Sequence, residues 1–248
     1  MIVSEVMTTK LITVTPDDTL SHAANLLRQY QFHHLPVVSA SNSAWSKYID
    51  TGRKALPEFQ GLLTSQDIDL AAAMGRWSSS EVLHRPWQER PVAEFMHRAS
   101  IRVTPSTSVA AAAQLMVERG LNCLPVVEYE QMGQDEEGRM RTVLVGLLTR
   151  SDLLLVLARL MGAFEPGMEL TIQLPAGDPG PLAETLVLAA QLGIQVRSIT
   201  AAPQESGVLQ VATLRLGTIN PSPLLVRLRE ANIHYAFAGS PVEDDEQG

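Results

Sequence analysis

Two short strings in this 248-residue chain set a hydroxyl and a carboxylate three residues apart: Thr64-x-x-Asp67 and Thr149-x-x-Asp152. Each follows an apolar Gly-Leu-Leu run and precedes helical apolar spacing, which places it at a strand-to-helix junction. Unpaired backbone N–H groups and the helix dipole at such a junction favour anionic or polyhydroxyl ligands. A carboxylate there can accept hydrogen bonds from both hydroxyls of a ribose, while the threonine contacts the adjoining phosphate or sugar. The same two side chains also fit a capping box, in which they satisfy the first helical turn. Local sequence leaves both readings open.

Other reactive side chains are few. His33 and His34 are adjacent, but neighbours on a strand point to opposite faces and cannot easily hold one metal ion. Cys123 is the one cysteine and has no recognisable histidine and carboxylate partners, so a buried apolar thiol is its expected role. With no nucleophile–base pair, metal cluster or phosphate-cradling lysine loop, no catalytic residue, metal or required cofactor is expected.

The elements that position these residues come from an internal repeat. A shift of 89 residues aligns Val3-Ser4-Glu5-Val6-Met7 with Val92-Ala93-Glu94-Phe95-Met96, and Leu35-Pro36-Val37-Val38 with Leu124-Pro125-Val126-Val127. From Val3 to Val38 the alignment has 14 identities in 36 pairs. A shift of 85 then superimposes Gly61–Asp67 on Gly146–Asp152. Leu20, Ala23, Ala24 and Leu27, like Val109, Ala112, Ala113 and Met116, recur at helical spacing behind the candidate N-caps Thr19 and Ser108. Strands are predicted at 11–14, 35–38 and 60–63, and at 101–103, 124–129 and 143–148. Each copy reads β-α-β-β-α.

A Val-Thr-Pro opening, a Leu-Pro-Val-Val strand and a Gly-Leu-Leu-Thr-x-x-Asp close, present twice in order over residues 1–162, resemble the CBS domain. The resemblance implies a Bateman module, with the two copies packed sheet to sheet around two clefts that take adenosine nucleotides. Carried over position by position, the binding residues are Lys10, Leu11, Ile12, His33, His34, Leu35, Pro36, Thr64 and Asp67 in the first copy. In the second they are Ile101, Asn122, Cys123, Leu124, Pro125, Thr149 and Asp152, with Ser100 beside them. The first cleft is the more basic and is expected to take a phosphorylated ligand, with Lys10 or a histidine near phosphate and Leu11 or Ile12 against adenine.

From Met168 the pattern changes to β-α-β-β-α-β, a ferredoxin-like split βαβ unit. The elements are a strand over 169–174, a helix over 182–192, strands over 194–200 and 208–216, a helix from about Pro221 and a strand over 234–238. With Pro179-Gly180-Pro181-Leu182 leading into its first helix, this unit resembles an ACT domain. That implies pairing through sheets. Gly177, Asp178 and Gly180 mark the loop in which some members bind amino acids; here Gly177 stands where those members have Asp or Asn.

The expected organisation is an α/β (α+β) chain with a first CBS domain at 1–75, a linker at 76–91, a second CBS domain at 92–162, an ACT-like domain at 168–239 and an acidic disordered tail at 240–248. The loop at 39–59 carries Trp45, Tyr48 and Phe59 and reads equally as a lid or partner contact and as packing within the module. The loop at 128–141 is charged and reads as mobile. The linker holds Trp77 and Trp87 as possible anchors to the sheets. The net charge of −8 disfavours nucleic acid as a partner. No apolar run reaches the roughly 20 residues needed to span a bilayer. Met1–Glu5 lacks the basic and apolar regions of a secretory signal, so the chain is read as starting at Met1 in the cytoplasm.

This combination is similar to the bacterial acetoin-utilisation regulatory protein family. It implies a homodimeric regulator that senses AMP, ADP, ATP or a related adenosyl ligand and passes the signal to its dimer arrangement or to a partner enzyme. A ligand-independent scaffold is the alternative.

Overall fold

The computed structural model describes residues 1–39, 57–77, 86–98, 101–131, 140–203 and 209–237. The chain divides into two compact units, Met1–Leu153 and Leu154–Gly248.

In the first unit, α1 (Leu20–Tyr30) starts where the Thr19 hydroxyl accepts the His22 N–H, and stops at Gln31 in the left-handed region. It is followed by β1 (His34–Val38), β2 (Phe59–Thr64) and α2 (Ser65–Trp77). The second copy repeats this with α3 (Val109–Arg119), capped by Ser108, then β3 (Cys123–Gln131), β4 (Met140–Thr149) and α4 (Arg150–Leu160). α4 crosses the division between the units. β1 pairs antiparallel with β2, and β3 with β4.

The first strand predicted for each copy shrinks to a single parallel bridge, Val14 to Val37 and Val103 to Val126. The cause is proline. Val38 N–H bonds Val14 O and Val14 N–H bonds Pro36 O, so the next rung needs an N–H on residue 36, which proline lacks. Pro125 stops the second copy in the same way.

Two arms cross between the copies. Residues 1–8 belong by sequence to the first copy, yet Val3 N–H bonds Thr107 O, and Thr8 exchanges both backbone hydrogen bonds with Leu147 on β4. In return Val92 N–H bonds Asp18 O, and His97 exchanges both with Leu62 on β2. Val3 is therefore buried in the second copy's core with Met116, Leu124 and Leu148, while Val92 is buried in the first with Leu20, Leu35 and Leu63. The arms lie this close because β2 and β4 carry glycine where they pass. A Cβ on Gly61 would collide with the His97 carbonyl, and one on Gly146 with the Met7 side chain. A third cluster, Val38, Phe59, Leu62, Cys123, Val127, Leu144 and Leu147, joins the two sheets.

Of the loop and linker residues singled out above, Phe59 is core and Trp87 packs on the first copy's core. Trp45, Tyr48, most of the 128–141 loop and the tail lie outside the described residues, as does the side chain of Trp77.

The second unit holds β5 (Met168–Gln173), α5 (Gly180–Gln191), β6 (Val196–Pro203), β7 (Leu209–Leu216), α6 (Ser222–Glu230) and β8 (Tyr235–Phe237). Its antiparallel sheet runs β6-β7-β5-β8. This is the split βαβ order, with the two crossing connections made by the helices. Leu170, Ile172, Ala212, Leu214 and Leu216 are packed with Ala189, Leu224 and Leu228 of the helices. β6 begins two residues later than predicted because Gly193, at φ +68°, closes α5: its N–H bonds Ala190 O and Ile194 N–H bonds Ala189 O.

Candidate functional site

Thr64 ends β2 directly opposite His34, and the next amide, Ser65 N–H, donates to the His33 carbonyl at 3.1 Å. The β1–β2 ladder thereby aims the start of α2. Asp67, in the first turn, folds back on Thr64. Its Oδ2 accepts the Thr64 N–H and hydroxyl, each at 2.7 Å, and its own N–H donates to Thr64 Oγ1 at 3.2 Å. This is a complete reciprocal capping box. It occupies one carboxylate oxygen. The other, Oδ1, lies 2.6 Å from Nε2 of His97, delivered by the arm of the second copy. The carboxylate is almost buried while the His97 side chain is 68% exposed.

The second copy repeats the arrangement with different chemistry. Asp152 Oδ2 accepts the Thr149 N–H at 2.8 Å and hydroxyl at 2.7 Å, and Asp152 N–H returns a bond to Thr149 Oγ1 at 3.2 Å. Oδ1 accepts the Thr8 hydroxyl at 3.1 Å. Arg150 N–H bonds Asn122 O, and the Arg150 side chain donates to Leu121 O at 3.0 Å. Thr8 and His97 are equivalent at the 89-residue shift, and sequence reasoning missed both. The alignment contained the signal, since they directly follow the matched Met7 and Met96, but not the crossing that brings them to the opposite carboxylate.

Around each junction the candidate residues divide by depth. Lys10, His33 and Asn122 are exposed; Leu11, Ile12, His34, Thr64, Ile101, Thr149 and Asp152 are half-buried; Pro36, Pro125 and Cys123 are buried. The side chains of Leu35 and Leu124 fill the cores of their own copies, which leaves only their backbone for a ligand. Ile12 and Ile101 pack on those same cores, and Leu11 on the cluster between the sheets. Ser100 lies outside the described residues.

His34 and Cys123 occupy equivalent positions beside the two aspartates. Burial pushes the His34 pKa down, the neighbouring His33 lowers it further, and Asp67 opposes both. Burial pushes the Cys123 thiol up to about 12, with the Asp152 carboxylate adding to the shift. Among the described residues no three histidine, cysteine or acidic side chains are grouped to hold a metal ion, and no helix is long and apolar enough to cross a membrane.

In the second unit, Asp178 Oδ1 accepts the Gly180 N–H at 2.9 Å, which closes the turn into α5. Gly177 follows Ala176, and both have positive φ.

Residues 3–44 and 92–159 match the family model of the CBS domain. The CBS domain-containing protein YhcV of Bacillus subtilis is 28% identical over 131 residues, covering 52% of this chain and 75% of that one. The CBS domain-containing protein DDB_G0289609 of Dictyostelium discoideum is 26% identical over 173 residues, covering 67% and 97%. Among solved structures, a putative acetoin utilization protein (AcuB) from Vibrio cholerae is 26% identical at a TM-score of 0.45, covering 67% of this chain and 98% of its own. CBSX2 in complex with AMP is 22% identical at a TM-score of 0.46, covering 64% and 98%.

Proposed function

For a chain that carries a tandem pair of CBS domains, we propose that it is a regulatory sensor rather than an enzyme. It binds an adenine nucleotide or related adenosyl ligand in the clefts beside Asp67 and Asp152. The observation that carries the reading is the pair of junctions: each presents a carboxylate, fixed in place by its own capping threonine, at the start of a helix. The capping bonds hold Oδ2, and an arm residue holds Oδ1 through a single contact. A carboxylate has about four acceptor positions, so Oδ1 of each aspartate has one left, and a ribose that uses both hydroxyls displaces the arm residue and not the cap.

The boundaries of the two CBS domains, the ACT-like character of the second unit and a homodimer joined through that unit belong to the same proposal. So do a cytoplasmic location and a regulated partner enzyme. The bond from Gly180 to Asp178 favours a structural role for that loop over amino-acid binding.

A second reading has an observation in its favour. Both Thr–Asp pairs form complete capping boxes with no ligand present, as a ligand-independent scaffold requires. Isothermal titration of the full chain with AMP, ADP, ATP, S-adenosylmethionine and NAD, repeated on Asp67→Ala and Asp152→Ala, separates the two. Saturable binding lost in one variant supports the sensor and identifies its cleft, whereas silence with every ligand sinks it in favour of the scaffold.

A further inference from the structure

The carboxylate of Asp67 is not free to receive a ligand in the way its position suggests. Oδ2 is committed to Thr64, and His97 Nε2 sits 2.6 Å from Oδ1. A diol arriving at this carboxylate meets an imidazole already there. Asp152 meets only a neutral hydroxyl, from Thr8, at 3.1 Å.

The imidazole is built to yield. Its backbone is pinned, because His97 N–H and C=O both bond Leu62, at 2.8 and 2.9 Å, while its side chain is 68% exposed and can rotate away without moving the arm. We propose that His97 gates the first cleft: it competes with the hydroxyls of a ribose-bearing ligand for Asp67. This inference rests on the reading that the cleft takes such a ligand.

A diol that uses both hydroxyls needs two acceptor positions at Asp67, and the imidazole already occupies one at Oδ1. The other ionisable groups around the pair are His34 on β1, which feels Asp67 electrostatically, His33 beside it, and Arg98 next to His97 in the chain. An uncharged nucleoside is the correct probe, because a phosphate is itself a hydrogen-bond partner for the exposed imidazole and would mask the competition.

Adenosine binding to the full chain is measured by isothermal titration for the unmodified protein, His97→Thr and Thr8→His. Threonine is the residue the second copy already uses at this place with the same backbone pairing, so His97→Thr keeps the arm seated. The first cleft is expected to bind adenosine roughly three- to tenfold more tightly in His97→Thr than in the unmodified protein, and Thr8→His is expected to weaken the second cleft by a similar factor. Saturable binding of unchanged affinity in both variants overturns the gate and leaves the sensing reading standing. Absence of adenosine binding in all three proteins overturns the gate, and the sensing reading falls with it only when AMP, ADP, ATP, S-adenosylmethionine and NAD are silent too.

Discussion

Thr8 and His97 stand at equivalent places in the two copies, and each touches the aspartate of the copy it does not belong to: the Thr8 hydroxyl donates to Asp152, and His97 pairs with Asp67. Each Thr–Asp junction is thus completed by the other repeat, and the chain before Lys10, Leu11 and Ile12 of the first copy is anchored at the second.

Asp67 and Asp152 should not be equal in stability. Asp67 is 7% exposed and serves Thr64 and His97, while Asp152 is half-buried and its bond to Thr8 is exposed. Asp67→Ala is expected to cost about 2–3 kcal/mol and Asp152→Ala about 1 kcal/mol. Urea unfolding followed by tryptophan fluorescence reads the difference, since Trp87 packs on the first copy's core. Equal losses would contradict the assigned roles.

Gly61 is required for a steric reason, whereas Gly120 eases a left-handed conformation that Gln31 adopts at the same place in the first copy. Gly61→Ala drives a methyl into the His97 carbonyl, and both strands are held by backbone bonds, so about 2–3 kcal/mol is expected. Gly120 has open space around it but φ +64°, so Gly120→Ala is expected to cost about 1 kcal/mol. Thermal melts of the two variants should rank in that order.

His34 sets an acid limit. Its folded pKa lies below the ordinary 6.5, so as pH falls past 6.5 the unfolded chain takes up a proton that the folded chain resists. The stability it contributes is present above that value and is lost as pH falls through the lowered folded pKa. His34→Gln should flatten this part of the stability profile, measured by denaturant midpoint against pH. An unchanged slope would assign the acid sensitivity to other groups.

Cys123 should be inert while the protein is folded. With its thiol raised to about 12, it holds almost no thiolate at about pH 8, the form that alkylating reagents attack. Iodoacetamide labelling is expected to be slow in buffer and fast in denaturant. The stability linked to this thiol is full below 9 and is lost as pH rises from 9 towards 12. Rapid labelling of the native protein would refute the burial argument.

Much of this fold is legible in the sequence. The periodicity at Leu20, Ala23 and Leu27, the caps Thr19 and Ser108, and the repeated Gly-Leu-Leu-Thr-x-x-Asp string located helices, strands and both junctions. The strand predicted at 11–14 failed because apolar composition reports burial but not hydrogen bonding. Ile12 does pack on the core, yet Pro36 withholds the N–H that would make it part of a ladder. The strands predicted to start at Leu35 and Leu124 begin one residue earlier, at His34 and Cys123, and the side chains of Leu35 and Leu124 lie in the cores of their copies.

What the sequence determined by itself is local: helical and strand periods, cap chemistry and the carboxylate three residues after a threonine, all of which depend on neighbours within a few positions. Which repeat each arm serves, and therefore which side chain meets Oδ1 of each aspartate, was decided only by the tertiary structure. Two similar copies offer each arm two similar docking edges. The choice between them rests on long-range burial of Val3 and Val92 and on backbone bonds to Leu147 and Leu62, and no spacing along the chain encodes those contacts.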